Sequence, residues 1–442
     1  MILGASSETY QPGALTSNTY FRRTTIATSG AACTSSATSS VLITVNSAVN
    51  AGTIGSNQTI CYNTAPALLT SGGAGTGTGT ITYRWESSPN GSAWTTISGT
   101  NSTTYQPPVL TATTHYRRIT IATSGTPCEA ASASVVITVN NAVSAGSIGS
   151  NQTICYNTTP ALLTSVSNGT GTGTITYTWE WSANGTSGWT TISGATGATY
   201  QPGALTANRY YRRTTNATSG LACTSSPTAS VLVTVNSAVT AGSIGTNQTI
   251  CYNTAPALLT SGGAGTGTGT ITYRWESSPN GSAWTTISGA NGVTYQPPVL
   301  TATTHYRRVT IATSGTACEA VSASVVITVN SAVTAGSIGS SQTICVDTAP
   351  ALLTSVTSGS GTGTITYRWE SSLNGTSGWT TIPGATGPTY QPGVLKQTTY
   401  YRRITVATSG TACESSPTAV IAVTTKRCKV ITNPMIYQRV KN

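Results

Sequence analysis

The chain holds 442 residues, 38% of them hydrophobic and only 7% charged, and its formal charge of +11 sets twenty Lys and Arg against nine acids. Thr, Ser, Val and Ile with twenty Tyr, nine Trp and one Phe make a β-strand composition, because branched and aromatic side chains fit a pleated, half-buried surface. That composition excludes an α-rich enzyme, and no apolar run approaches the ~18 to 20 residues a membrane helix needs, so no membrane insertion is expected.

A period of 94 to 96 residues runs through the chain: Cys61, Cys155, Cys251 and Cys345 step by 94, 96 and 94, and Trp85, Trp179, Trp275 and Trp369 repeat those steps. Residues 1–48 are the second half of such a repeat, since MILGASSETYQPGAL aligns with the run around Ile192. A domain lacking its first strands cannot close a sandwich core alone, so either the true N-terminus lies upstream or another chain supplies the missing strands. Residues 49–142 are the first full repeat. It predicts a strand over 52–60, a second over 65–71, a flexible Gly/Thr connection, and a central strand over 81–87. An Asn-Gly turn follows, then WTTIS, TTYQP, and a last hairpin of HYRRITIAT and SASVVITV closed at Ser-Gly.

Short strands separated by closely spaced turns predict an all-β fold, a tandem array of Ig-like sandwiches forming an elongated rod. Period-2 alternation places Ile81, Tyr83 and Trp85 in the core and Thr82, Arg84 and Glu86 in solvent. The Leu110–Tyr116 spacing resembles a tyrosine corner, yet Ile119 and Ile121 as the inward face would leave Tyr116 and Arg118 outward. Further repeats cover 143–237, 238–332 and 333–426. Alternate repeats share their turn sequences, which makes a superrepeat whose step runs from Cys61 to Cys251. The tail, 427–442, breaks the pattern and is a candidate donor strand.

The recurring run YRWESSxNGxxWTTIxGATGxTYQPxxLTxxTYYRRxTxATSGxxCxSxxxxVxVTV resembles the Ig-like/PKD-like repeats of secreted Bacteroidota cell-surface proteins, among them gliding-type adhesins exported by the type IX system. The resemblance covers roughly residues 1 to 425. It implies an extracellular, cell-surface β-sandwich array used for adhesion or as a stalk. Asp347-Thr348-Ala349 matches the short O-glycosylation pattern of that phylum, which makes Thr348 a candidate site.

Ten Cys fall two per full repeat, with Cys33 in the half repeat and Cys428 in the tail. Such pairs predict disulfides of an oxidising compartment. Pairing within repeats gives Cys61–Cys128, Cys155–Cys223, Cys251–Cys318 and Cys345–Cys413. A standard Ig topology would put those partners at opposite ends and favour bridges between repeats such as Cys61–Cys223. Cys33 and Cys428 are left as inter-subunit candidates. Through them the tail of one molecule would complete the half repeat of the next, a head-to-tail filament by strand addition.

No catalytic set emerges. His115 and His305 align with Tyr20, Tyr210 and Tyr400, which marks an aromatic packing position. Glu86 and Glu129 could form a carboxylate pair, but Thr224 replaces Glu129 in the second repeat, so no enzyme is expected. Two His and no CxxC spacing leave no zinc set, the junctions lack the carboxylates for calcium, and no metal or other cofactor is expected. Regularly spaced Arg, without runs, argues against nucleic acid. The Arg positions carry two readings. Arg84, Tyr116, Arg118, Arg213, Arg308 and Arg403 would form either cross-strand Arg–Glu and Arg–aromatic pairs or a repeating outward face for a polysaccharide or other surface ligand.

Overall fold

The computed structural model describes residues 1–429, and every regular element among them is a β-strand. Contacts divide the chain into two units. The first comprises Met1–Gln152, Ala161–Pro202 and Asn208–Val233; the second comprises Thr153–Pro160, Gly203–Ala207 and the chain from Thr234 on.

In the first unit, the half repeat contributes β1 (Thr19–Phe21), β2 (Ile26–Ser29), β3 (Ala31–Thr34) and β4 (Val41–Ile43). Strand β1 pairs β4 and β2 pairs β3, all antiparallel. The first full repeat runs β5 (Thr53–Ile54), β6 (Gln58–Ile60), β7 (Ser71–Gly73), β8 (Thr80–Ser88), β9 (Thr95–Ile97), β10 (Thr114–Ser124), β11 (Thr126–Ala131) and β12 (Val135–Val139). Its main sheet has the order β6-β12-β10-β8-β9, with β11 on the upper part of β10. The pairing of β6 with β12 is parallel, Ile60 lying opposite Val139.

The facing layer is fragmentary: β5 pairs β7, and isolated bridges join Asn50 to Thr76, Thr64 to Leu110 and Leu69 to Tyr105. The stretch expected as one strand over 52–60 is therefore two strands in two layers, divided at Gly55, whose amide donates to Thr70 O. The expected strand over 65–71 does not form: the stretch carries a single bridge, at Leu69, before β7 begins at Ser71. The Gly/Thr run is not a loose connection. Gly75 lies against Thr120 and Gly77 against Ala122, so close that a Cβ at Gly77 would sit 2.6 Å from the Ala122 Cβ. Residues without side chains let this segment lie flat on β10.

Between the layers lie Ile60, Leu69, Trp85, Leu110, Tyr116, Val135 and Ile137, all buried. Trp85 is fully enclosed and stacks at 5.6 Å on Tyr105, which in turn meets Tyr116 at 5.7 Å. Large aromatic side chains dominate a core of this size, at a few kcal/mol each on full burial. The Asn-Gly turn after β8 is held by the Asn90 carboxamide oxygen, which accepts from the amides of Ser92 and Ala93. In the second unit the third and fourth repeats rebuild the same five-strand path, with Trp275 and Trp369 as their core residues. The all-β tandem architecture is as the composition and turn spacing predict.

Candidate functional site

Strand β10 decides the chemistry of each repeat. Its buried face carries Tyr116, Arg118, Thr120 and Ala122, and Arg118 is fully enclosed. The outward placement of Tyr116 and Arg118 is therefore wrong, and so is that of Arg213, Arg308 and Arg403, each of which has no exposed surface. Ile119 is buried as well, covered on the opposite face of the strand, so apolar alternation alone pointed the wrong way.

The enclosed guanidinium binds carbonyls of the facing layer. Arg118 Nη1 donates to Ser71 Oγ at 2.8 Å and Thr103 O at 3.0 Å. Its Nη2 donates to Gly73 O at 2.8 Å, Ala51 O at 3.2 Å and Thr53 O at 3.4 Å. Tyr83 supplies a ring face 4.8 Å away. Burial lowers the Arg118 pKa, with Tyr83 acting in the opposite direction. In the first unit Arg213 repeats the pattern on Ala198 O, Ser165 Oγ, Ser167 O and Ala145 O. A rigid planar fork suits this role, pinning two layers through several carbonyls at once.

The outer face of β8 and β10 carries the ion pairs. Arg84 bridges Glu86 and Glu129, and Arg117 reaches Glu86 at 2.7 Å while stacking at 4.2 Å on Trp94. Glu86, expected in solvent, is buried beneath these two arginines. The hydrogen bond from Arg84 holds the Glu129 carboxyl below its usual range. The second repeat substitutes Thr178 for Arg84, and Asn216 Nδ2 donates to its hydroxyl at 2.9 Å. These contacts match the cross-strand pairing reading.

Three disulfides link successive repeats and do not close them. Cys61 bonds to Cys223 with the Cα atoms 5.6 Å apart; Cys155 bonds to Cys318 and Cys251 to Cys413, each at 5.5 Å. In each pair a cysteine just after the strand equivalent to β6 reaches the last hairpin of the following repeat. Pairing within repeats is thus corrected: within one sandwich the two positions lie at opposite ends, as the Ig topology argument had it. Each bond lies inside one of the two units. An asparagine seals each junction. Asn140 Nδ2 donates to Ser219 O at 3.3 Å, Asn236 to Ser314 O at 3.0 Å and Asn330 to Ser409 O at 3.1 Å.

Two other assignments change. Cys128, expected in a disulfide, is a free thiol, as is the exposed Cys33. Cys428, expected at an interface between molecules, bonds within the same chain to Cys345 of the fourth repeat. Residues 430–442 of the candidate donor strand lie outside the described residues. Thr348 is exposed, but its hydroxyl donates to Cys345 O at 2.6 Å, the bond that Thr64, Thr158 and Thr254 make to their own cysteines. His115 packs over Gly91, and Tyr210 takes the same place over Gly185. Among the described residues no three of His, Cys, Asp and Glu come together, and no helix is long and apolar enough to cross a membrane. Sequence reasoning missed the buried role of Arg118 and the Asn140 seal; the recurrence of the Arg pair in every repeat, and of Val-Asn at the end of the half repeat and of the first three full repeats, was the available signal.

The family model described as Domain of unknown function (DUF8696) matches residues 1–47, 50–141, 144–237, 240–331 and 334–427, so the chain belongs to that family. No curated protein matches it. Among solved structures, Sidekick-1 immunoglobulin domains 1–5 align at 12% identity over 86% of this chain and 79% of that one, with a TM-score of 0.25. The I-band fragment I67–I69 from titin aligns at 10% identity over 63% and 96%, with a TM-score of 0.35. Mouse cadherin-23 EC22–24 aligns at 12% identity over 62% and 95%, with a TM-score of 0.27.

Proposed function

We propose that this member of the DUF8696 family is a non-enzymatic extracellular array, a cell-surface stalk or adhesin segment whose repeats are covalently interlocked to carry load. The observation that carries this reading is the disulfide pattern, in which three of the four bonds each reach from one repeat to the next. Such bonds persist in oxidising compartments. The resemblance to secreted Bacteroidota surface repeats points the same way.

The pattern has a mechanical consequence. Force applied at the chain ends passes through Cys61–Cys223 and Cys251–Cys413, and so bypasses residues 62–222 and 252–412. Only residues 1–61, 223–251 and 413–442 can be drawn out, about 120 residues or ~400 Å at ~3.4 Å each, against ~1500 Å for the whole chain. Single-molecule pulling from the two ends checks this. Extension should stop at roughly that shorter length under oxidising conditions and reach the full contour length only after reduction. Full extension without reductant, or failure of antibodies to label intact source cells, would remove the reading.

A further inference from the structure

Free positive charge is not spread evenly over the repeats. In the four full repeats seven arginines hold ion pairs, four are fully enclosed, and Arg209 stacks on Trp181. The sequence holds four lysines, and every one falls at or beyond residue 396. Lys441 lies outside the described residues. Lys396, Lys426 and Lys429, together with Arg427, are exposed, and none of these four holds an ion pair among the described residues.

The fold brings these cations to one place in the second unit. Residues 345–348 lie between the two segments that carry them. On one side the Asp347 amide donates to Leu395 O at 2.9 Å and Thr348 bridges Leu395, the neighbour of Lys396. On the other, Cys345 stands opposite Lys426 in the parallel pairing of Gln342–Cys345 with Ile421–Lys426, and the Val346 amide donates to Lys426 O at 3.0 Å. The Thr425 amide donates to Thr398 Oγ1 at 3.2 Å, which ties the two segments directly. The Cys345–Cys428 bond, with Cα atoms 5.5 Å apart, pins the chain between Arg427 and Lys429. Asp347 is the only carboxylate in these segments, so the cluster sets four cations against one anion.

Two of the positions are open in every full repeat, and only the fourth repeat charges them. Thr111, Thr206 and Thr301 stand at the place of Lys396, and Asn141, Ser237 and Ser331 at that of Arg427, all of them exposed. The aromatic content changes in the opposite sense. The exposed tyrosine that follows the cysteine in the first three full repeats, Tyr62, Tyr156 and Tyr252, is Val346 here. No aromatic residue lies in 345–348, 394–398 or 425–429. The surface therefore lacks a ring to stack on a nucleobase or to anchor at a lipid interface. Three of its four cations are ammonium groups, compact point charges that suit dispersed carboxylates, whereas guanidinium forks suit phosphates.

We propose that this cluster is a docking surface for a polyanionic polysaccharide, one that carries a carboxylate on successive sugars. Charge complementarity selects the partner. Lys396 and Arg427, from separate segments, engage different carboxylates of one polymer chain, and Lys426 and Lys429 add to the attraction. Each contact is weak and solvated, but a run of carboxylates engages several cations at once and the contacts reinforce one another. Exposed charges act over roughly 10 Å at 0.1 M salt, so the binding weakens as salt rises. The surface is separate from the bonds that link successive repeats, so the load-bearing reading and this one stand or fall independently.

The test measures binding of the full oxidised chain to immobilised alginate, a polyuronate, with dextran as the uncharged control. Alginate should bind and dextran should not, and the affinity should fall about tenfold between roughly 50 and 200 mM salt. Lys396→Gln combined with Arg427→Gln should weaken binding about tenfold, whereas Lys396→Arg should retain it. Arg84→Gln combined with Arg274→Gln removes the same net charge from ion-paired positions and should change binding by less than about twofold. Equal losses in the two double variants, tighter binding to anionic lipid vesicles or single-stranded DNA than to alginate, or no alginate binding at low salt overturns the proposal.

Discussion

Arg118 lies 4.8 Å from the ring of Tyr83, fully buried, and its charge is held by carbonyl oxygens of the facing layer, with no carboxylate paired to it among the described residues. In antibody domains a disulfide joins the two sheets against the core tryptophan. Here the cysteines lie at the repeat ends, and the guanidinium joins the layers beside Trp85. Replacing Arg118 by Lys keeps the charge but reaches only two or three of the five acceptors, leaving buried carbonyls unsatisfied. The expected loss is about 2 to 4 kcal/mol in the first repeat alone. Hydrogen exchange should show lower protection over Thr114–Ser124 and no change over Thr304–Ser314.

Thiol accounting separates the linked arrangement from pairing within repeats. Alkylation of the oxidised chain under denaturing conditions should modify two cysteines, Cys33 and Cys128. Non-reducing peptide maps should recover Cys155 with Cys318 and Cys345 with Cys428. In the chain-entropy picture a closure of 162 residues, such as Cys61–Cys223, is worth about 5 kcal/mol. The Cys61→Ser, Cys223→Ser double variant should therefore unfold at markedly lower denaturant, with the loss confined to the first two repeats. A Cys155–Cys223 peptide would contradict the arrangement.

The architecture was legible because its signals are periodic. The cysteine and tryptophan steps set the repeats, the Asn90-Gly91 turn set a hairpin, and alternation put Tyr83 and Trp85 inward, where they lie. The misreading of strand β10 has a physical cause. Ile119 and Ile121 marked one face as inward, yet Arg118 is enclosed on the other because the fragmentary layer offers it a set of carbonyl oxygens that a multi-donor group can satisfy. The Gly/Thr run misled in the same way, since glycine signals both flexibility and close approach, and only the opposing Thr120 and Ala122 distinguish them. Cysteine connectivity depends on which sandwich end each loop occupies, a tertiary fact that spacing does not encode.

Buried tyrosines give the fold an alkaline limit. Burial, helped by the neighbouring Tyr105, Tyr295 and Tyr390, pushes Tyr116, Tyr306 and Tyr401 from the ordinary 10 up to about 12. A raised folded-state value means the folded chain holds the phenol proton more tightly than the unfolded chain. The contribution is complete below pH 10 and is lost as the pH climbs from 10 to about 12, on the order of 2 kcal/mol for each tyrosine. With thiols blocked beforehand, phenolate absorbance should show a late class of tyrosines whose ionisation coincides with loss of β-sheet signal. Tyr116→Phe should weaken this pH dependence in the first repeat, with Tyr105, also raised by burial, left to supply the remainder.

The flat passage of the Gly/Thr segment over β10 can be tested by exchanging one methyl between layers. A Cβ at Gly77 would stand 2.6 Å from the Ala122 Cβ, far inside van der Waals contact, and Ala122 is buried with no room to retreat. Gly77→Ala should therefore cost about 1 to 3 kcal/mol through overpacking. Ala122→Gly alone should cost up to about 1 kcal/mol, because a glycine in a strand interior has more chain entropy to lose. Combining them moves the methyl across the interface without changing its volume, so the double variant should be more stable than Gly77→Ala alone, with a coupling on the order of 1 kcal/mol. Denaturation of the four proteins measures that coupling, and additive losses would show that residues 74–79 do not press on β10.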